Sequence, residues 1–229
     1  MSSTAGAFFD VDETLVRVKS MFHFLKFYLR RRGEPEGTYE KLVQPIHAAA
    51  DRGDPRQEIN RTYYRLYTGE SAAGLAAAGR AWFAHYAERG LFIAETTAEL
   101  RAARERGDFV ILVSGSFFAC LDPIADYLGA DWAFGTRPVV RRGTLTGEVV
   151  IPLIGDTKAR TACVAAAVKG LDLASSCAYG DHASDLSLLR SVGRPVVVGQ
   201  DAVLSRHAAA HGWRQLRSAP DQVGAEVGG

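Results

Sequence analysis

Apolar and polar positions divide the chain into segments of clearly different period. Near the start, "GAFFDV" (residues 6–11) places apolar and aromatic residues between a glycine and acids. That is the pattern of a short buried strand. From Ser20 the spacing becomes helical. "SMFHFLKFYLRRR" starts on Ser and carries arginines in its last turn, where they suit the helix dipole. "TYEKLVQPIHAAADRG" is a second helical stretch, which Pro45 is expected to kink or break. "DPRQEINRTYYRLYTG", with Pro just inside its start and Gly at its end, is a third. The alanine-rich "SAAGLAAAGRAWFAHYAERG" is a fourth. Four successive helical segments without a strand predict a compact helical unit.

Beyond it the pattern alternates. "ETTAELRAARERG" reads as a helix, "FVILVSGS" as a buried strand and turn, and "FFACLDPIADYLG" as a helix made irregular by Pro123. "WAFGTRPVVRRGTLTGEVV" suggests short strands with glycine turns. "DTKARTACVAAAVKGL" is helical, and "SCAYGDHASDLSLLRSVG" and "RPVVVGQDAVLSRHAAAHGW" each read strand, loop, helix. The expected class is α/β: a doubly wound, Rossmann-like parallel sheet with helices on both faces. The helical unit falls between the first strand and the rest, so it reads as an inserted cap. The expected division is a core of residues 1–16 and 92–217, a cap of residues 17–91 and a frayed tail at residues 218–229.

Composition narrows the function. The chain has 229 residues, is 47% hydrophobic and has a formal net charge of +1. It carries no basic field for nucleic acid and no general attraction to anionic membranes. No segment is long and apolar enough to span a bilayer, and the N-terminus lacks a signal-peptide pattern, so a cytoplasmic location is expected. Cys120, Cys163 and Cys177 match no zinc or CxxC spacing and lie in apolar runs. They are expected to be buried free thiols.

In open α/β sheets, ligands bind beyond the carboxyl ends of the strands. The polar residues just past the predicted strands are Asp10 and Asp12, then Ser114, Gly115 and Ser116, then Asp181 and Asp185. Lys158 lies in the first turn of a helix preceding the last of these. Clustered acids repel unless a cation intervenes, and carboxylates with room for water suit Mg²⁺. A carboxylate can attack phosphorus, while a hydroxyl, N–H groups and a lysine hold the phosphoryl oxygens. A second carboxyl group can protonate the leaving oxygen.

With "DVDET" at 10–14, "VSGS" at 113–116, Lys158 in "GDTKA" and "GDHASD" at 180–185, the chain resembles the haloacid dehalogenase (HAD) superfamily. The resemblance is to its phosphatase branch, and it runs from about Gly6 to Leu216. It implies a Mg²⁺-dependent phosphatase acting on a small phosphorylated metabolite through an aspartyl-phosphate. Asp10 would be the nucleophile and a metal ligand. Asp12 would be the general acid and base, with its carbonyl on the metal. Thr14 would brace the loop beside the substrate. Ser114 and the Gly115 N–H would bind the phosphoryl group, and Lys158 would neutralise charge. Asp181 would ligate the metal, with Asp185 ligating it through water or orienting Asp181.

A helical insert directly after the first motif is similar to subfamily IB, with its C1-type cap, the group that includes phosphoserine phosphatase. Those enzymes carry a glutamate nine residues after the nucleophile to hold the substrate ammonium, and here that position is Lys19. A lysine repels an ammonium, so a substrate with an anionic or neutral group near the phosphate is expected, with Lys19 in contact. His23, Arg61, Tyr64 and Arg65 are further polar positions of the insert. Phe22, Phe24, Phe27 and Tyr28 are expected to form its core, and His182 to be incidental. Family dehalogenases lack the acid at Asp12, which argues against dehalogenation. Phosphotransfer from the same intermediate, or a non-catalytic metabolite-binding role, stays open.

Overall fold

The computed structural model describes residues 4–216. The tail expected at residues 218–229, and residues 1–3 and 217 of the expected core, lie outside the described residues. Six strands form one parallel sheet: β1 (Gly6–Phe9), β2 (Phe109–Val113), β3 (Trp132–Phe134), β6 (Cys177–Gly180), β7 (Arg194–Val198) and β8 (Arg214–Leu216). Their order is β3-β2-β1-β6-β7-β8, so the chain winds outward in both directions from β1. β1 and β6 are buried along their whole length, which is why they read as unbroken apolar runs. β4 (Pro138–Arg141) and β5 (Thr144–Val149) make a separate antiparallel hairpin.

Helices α5 (Ala94–Glu105), α6 (Phe118–Leu128), α7 (Asp156–Lys169), α8 (Leu186–Arg190) and α9 (Ala202–His211) connect the strands. Between β1 and α5 lie α1 (Ser20–Arg31), α2 (Thr38–Asp51), α3 (Arg56–Arg65) and α4 (Ala72–Tyr86). Pro45 does not break α2, which runs through it, and α6 likewise continues through Pro123. Each proline removes only one hydrogen bond, and the packing of the helix outweighs that loss. Among the described residues no helix is long and apolar enough to cross a membrane.

The four-helix layer has its own aromatic core. Tyr63, Tyr64 and Tyr67 are each at most 1% exposed, as are Phe24 and Trp82. Their polar ends are satisfied: the Tyr63 hydroxyl donates to the Met21 carbonyl at 2.6 Å and so accepts from Tyr67 at 2.7 Å. Phe24 sits inside this core, as expected, whereas Phe22 lies on its rim and lines a cleft. The β4–β5 hairpin falls within residues 92–217, yet its hydrogen bonds go to the helical layer: Gly69 N–H to the Leu145 carbonyl, and Leu145 N–H to the Glu70 carbonyl. Cys120 and Cys177 are buried, but Cys163 is exposed, because α7 turns it away from the sheet.

The layer and the sheet meet most closely where α4 crosses α6. A Cβ at Gly79 would lie 1.8 Å from the Ala119 carbonyl oxygen. At an open helical site, replacing Gly by Ala stabilises by about 1 kcal/mol. Here the sign reverses. Gly79→Ala is expected to destabilise the protein by about 2 kcal/mol, read as a fall in the urea midpoint. A raised midpoint would show that the two helices do not pack this closely.

Candidate active site

The cleft between the helical layer and the carboxyl edge of the sheet has a volume of about 650 Å³. Asp10, Asp12, Ser114, Gly115, Lys158 and Asp181 line it, and so does Lys19. A more open groove of about 770 Å³ lies elsewhere, along Trp132 and Val164, and among the described residues Arg160 is the one charged residue lining it. Among the described residues it holds no cluster of reactive groups.

Asp10 follows β1 directly, and its N–H extends the sheet by donating to the Tyr179 carbonyl at 3.0 Å. The chain then turns sharply: the N–H groups of Thr14, Leu15 and Val16 all point to the Val11 carbonyl. Glu13 takes a left-handed conformation, φ 58°, to make this turn. For a residue with a side chain that costs about 1 kcal/mol, a strain typical of functional loops. The turn swings Thr14 under the site, where its hydroxyl donates to Asp181 Oδ1 at 2.8 Å. Thr14 is fully buried, so its contact is with the acid cluster. Thr96 in turn donates to the Thr14 carbonyl at 2.5 Å.

Lys158, 4% exposed in the first turn of α7, binds two carboxylates: Asp10 Oδ1 at 2.7 Å and Asp185 Oδ1 at 2.6 Å. Asp185 is fully buried, and its Oδ2 accepts the His182 N–H at 3.3 Å. It closes a capping box with His182 on the short 3₁₀ turn Ala183–Asp185. Gly180 permits this arrangement, since a Cβ there would meet the Asp185 Cβ at 2.7 Å. At the end of β2, Ser114 Oγ accepts the Ser116 N–H at 3.0 Å, which leaves its own proton free to donate.

The structure places Lys19 at the mouth of the cleft, with its side chain 60% exposed and 3.6 Å from Glu13. Tyr64 reaches the site by donating to the Gly115 carbonyl at 3.1 Å. Of the other polar positions of the helical insert, His23 accepts from Trp82 Nε1, Arg61 donates to the Val149 carbonyl of the hairpin, and Arg65 is exposed. Sequence reasoning missed Ser20, Asn60 and Thr96, which are buried, as is Ser116. Ser20 donates to Ser116 Oγ at 3.0 Å, and Asn60 donates to the Gly115 carbonyl at 3.1 Å. His182, expected to be incidental, lines the cleft and touches Arg56 of α3.

The acids are held on the edge of protonation. Burial pushes Asp10 up to about 6, against the pull of Lys158. Burial also raises Asp12 to about 7. Asp181 rises to about 8, through burial and then repulsion from Asp10 and Asp185. Burial alone would discharge Lys158, but the two carboxylates outweigh it and raise its pKa, so it stays an ammonium. One carboxylate oxygen each of Asp10, Asp181 and Asp185 lies within 4.8 Å of the others. Three hard oxygens in a partly buried, acid-rich pocket fit Mg²⁺, which takes few protein ligands and keeps its waters.

The family model for haloacid dehalogenase-like hydrolases matches residues 7–190. An inhibition of morphological differentiation protein from Streptomyces azureus is 34% identical, over 91% of this chain and 76% of that one. A probable phosphatase from Mycobacterium tuberculosis is 31% identical, over 92% of this chain and 74% of that one. A substrate-bound phosphoserine phosphatase structure shares the fold, with a TM-score of 0.66 at 24% identity, covering 90% of this chain and 91% of the other.

The raised acid pKa values have a consequence for stability. Asp10, Asp12 and Asp181 bind protons more tightly in the fold than at the unfolded value of 3.8. Their contribution is therefore fully present below about pH 4 and is lost as pH rises through about 6 to 8. In chelator, the melting temperature is expected to fall between pH 5.5 and 8, with a shallower fall in Asp181→Asn. Mg²⁺ is expected to raise it more at pH 8 than at pH 5.5. A Mg²⁺ effect that is equal at both pH values, or absent, would contradict the reading of the cluster.

Proposed function

The chain belongs to the haloacid dehalogenase-like hydrolases, and on that premise we propose that it is a phosphatase that hydrolyses a small phosphate monoester through an aspartyl-phosphate on Asp10. The observation that carries this reading is the buried Asp10, ion-paired with Lys158 and clustered with Asp181 and Asp185, in a cleft that Ser114 also lines.

In the first step an oxygen of Asp10 attacks phosphorus as the ester P–O bond breaks. Lys158 keeps Asp10 ionised and oriented, and it neutralises part of the phosphoryl charge. The Ser114 hydroxyl and the Gly115 N–H receive the phosphoryl oxygens. Asp12 gives its proton to the departing alkoxide. Its pKa of about 7 suits that task near neutral pH, and its buried Oδ1 has no partner among the described residues. In the second step Asp12 takes a proton from water, which attacks phosphorus. The bond to Asp10 breaks, releasing inorganic phosphate and restoring both acids. Asp10, Asp181, Asp185 and the Asp12 carbonyl would hold Mg²⁺, which supplies positive charge to the phosphoryl oxygens.

The four helices of residues 17–91, joined by the β4–β5 hairpin, act as the cap over a core built from residues 1–16 and 92–217. The cap excludes bulk water and reads the leaving group. Lys19 at its mouth favours a substrate without a cation beside the phosphate.

Phosphate release from a panel of phosphorylated metabolites tests this directly. Release is expected with Mg²⁺, is lost in chelator and falls at least about a thousandfold in Asp10→Asn. Within the panel, O-phosphoserine is expected to be a poor substrate that Lys19→Glu improves. Substantial turnover by Asp10→Asn would sink the mechanism, and efficient turnover of O-phosphoserine by the wild type would sink the role of Lys19.

A further inference from the structure

Asn60 lies on α3 with 5% of its surface exposed, and it lines the cleft beside Ser114 and Gly115. Its Nδ2 donates to the Gly115 carbonyl at 3.1 Å. That bond fixes which way the amide points. A carbonyl only accepts, so the flipped amide would press one acceptor against another. The amide's Oδ1 is then turned away from Gly115. It is shielded from solvent and has no hydrogen-bond donor among the described residues. Buried acceptors are almost always paired, and an unpaired one weakens the fold that carries it. A ligand that brings a donor removes that cost.

The surroundings select the donor. Met21, Phe22, Ile46, Ile59 and Tyr63 offer carbon surface for a short alcohol. Away from the reacting groups, the charged residues lining the cleft are Glu13, Lys19, Asp54 and Arg56. Both acids already have a cation: Glu13 has Lys19 at 3.6 Å, and Asp54 has Arg52 at 2.7 Å. Arg56 rests on His182, which brings no negative charge. With its acids paired and a cation to spare, this rim does not favour an ammonium. A neutral hydroxyl meets the vacant acceptor without that penalty.

We propose that Asn60 is a specificity-determining residue, whose Oδ1 accepts a hydrogen bond from a hydroxyl on the alcohol half of the substrate. The substrate class is then phosphate monoesters of hydroxylated alcohols. The inference rests on the phosphatase reading above. Because Oδ1 is shielded from solvent, its contact with the hydroxyl requires the cleft to open as the ester binds.

Matched pairs of esters test it. The values of kcat/KM are compared in Mg²⁺ for 2,3-dihydroxypropyl phosphate against propyl phosphate, and for 2-aminoethyl phosphate against ethyl phosphate. The wild type is expected to favour the dihydroxy ester about 10- to 100-fold. In Asn60→Leu that ratio falls to about one. In Tyr64→Phe, which also loses a bond to the Gly115 carbonyl, both esters of a pair slow alike and the ratio survives. This separates recognition by Asn60 from bracing of the turn. If Asn60→Leu does not fold, the wild-type ratio decides alone. Equal turnover of the dihydroxy ester and its deoxy partner, or a preference that persists in Asn60→Leu, overturns the inference and leaves the phosphatase reading standing. A preference for the amine that disappears in Asn60→Leu overturns the hydroxyl assignment. No phosphate release from any ester overturns both readings.

Discussion

A buried ammonium lets the acids of this site stay together. Asp10, Asp181 and Asp185 bring oxygens within 4.8 Å of one another, where like charges repel. Lys158 meets two of the three at 2.7 and 2.6 Å. An ion pair this deep adds little net stability, because desolvation offsets much of the attraction, but removing one partner leaves a buried charge uncompensated and costs about 3–5 kcal/mol. The surrounding fold serves that contact. β1 delivers Asp10, β6 and the tight turn after it deliver Asp181 and Asp185, and the first turn of α7 delivers Lys158. Gly180 gives Asp185 the space to fold back toward the lysine.

The helical layer is tied to the same chemistry through hydrogen bonds. Asn60 and Tyr64 of α3 both donate to the Gly115 carbonyl, and Ser20 at the start of α1 donates to Ser116. The turn proposed to hold the phosphoryl group is thus clamped by the element proposed to cover it. Closure over a substrate and alignment of the Ser114 turn become one event. The β4–β5 hairpin widens the layer, and Gly79 lets α4 seat tightly on α6.

Much of this was legible in the chain. The buried strands β1, β2, β6 and β7 announce themselves as apolar runs, because a parallel sheet covered on both faces has no polar side. The reactive groups could be found because each directly follows a strand or opens a helix. β8 was not readable: Arg214, Gln215 and Leu216 carry no strand pattern, and only the edge of an existing sheet makes them one. Asn60, Ser20 and Thr96 were invisible for a related reason. Each is a common polar residue on a helix, and its burial in the site is a product of packing. Pro45 misled locally, since a proline inside a helical pattern weakens the helix without deciding whether its neighbours hold it. Cys163 misled through its apolar sequence neighbours, because which face of a helix meets the sheet is set by tertiary contacts.

Everything proposed for the reaction passes through one covalent bond, from Asp10 to phosphorus. The most direct measurement is to quench the enzyme in acid early in the turnover of a phosphate ester, with Mg²⁺ present, and to map the phosphoryl group onto peptides by mass spectrometry. The account predicts the phosphoryl group on the peptide containing Asp10, lost when the sample is treated with base and absent in Asp10→Asn. A phosphoryl group on another residue, or an unmodified Asp10 peptide while the ester is being consumed, would contradict it.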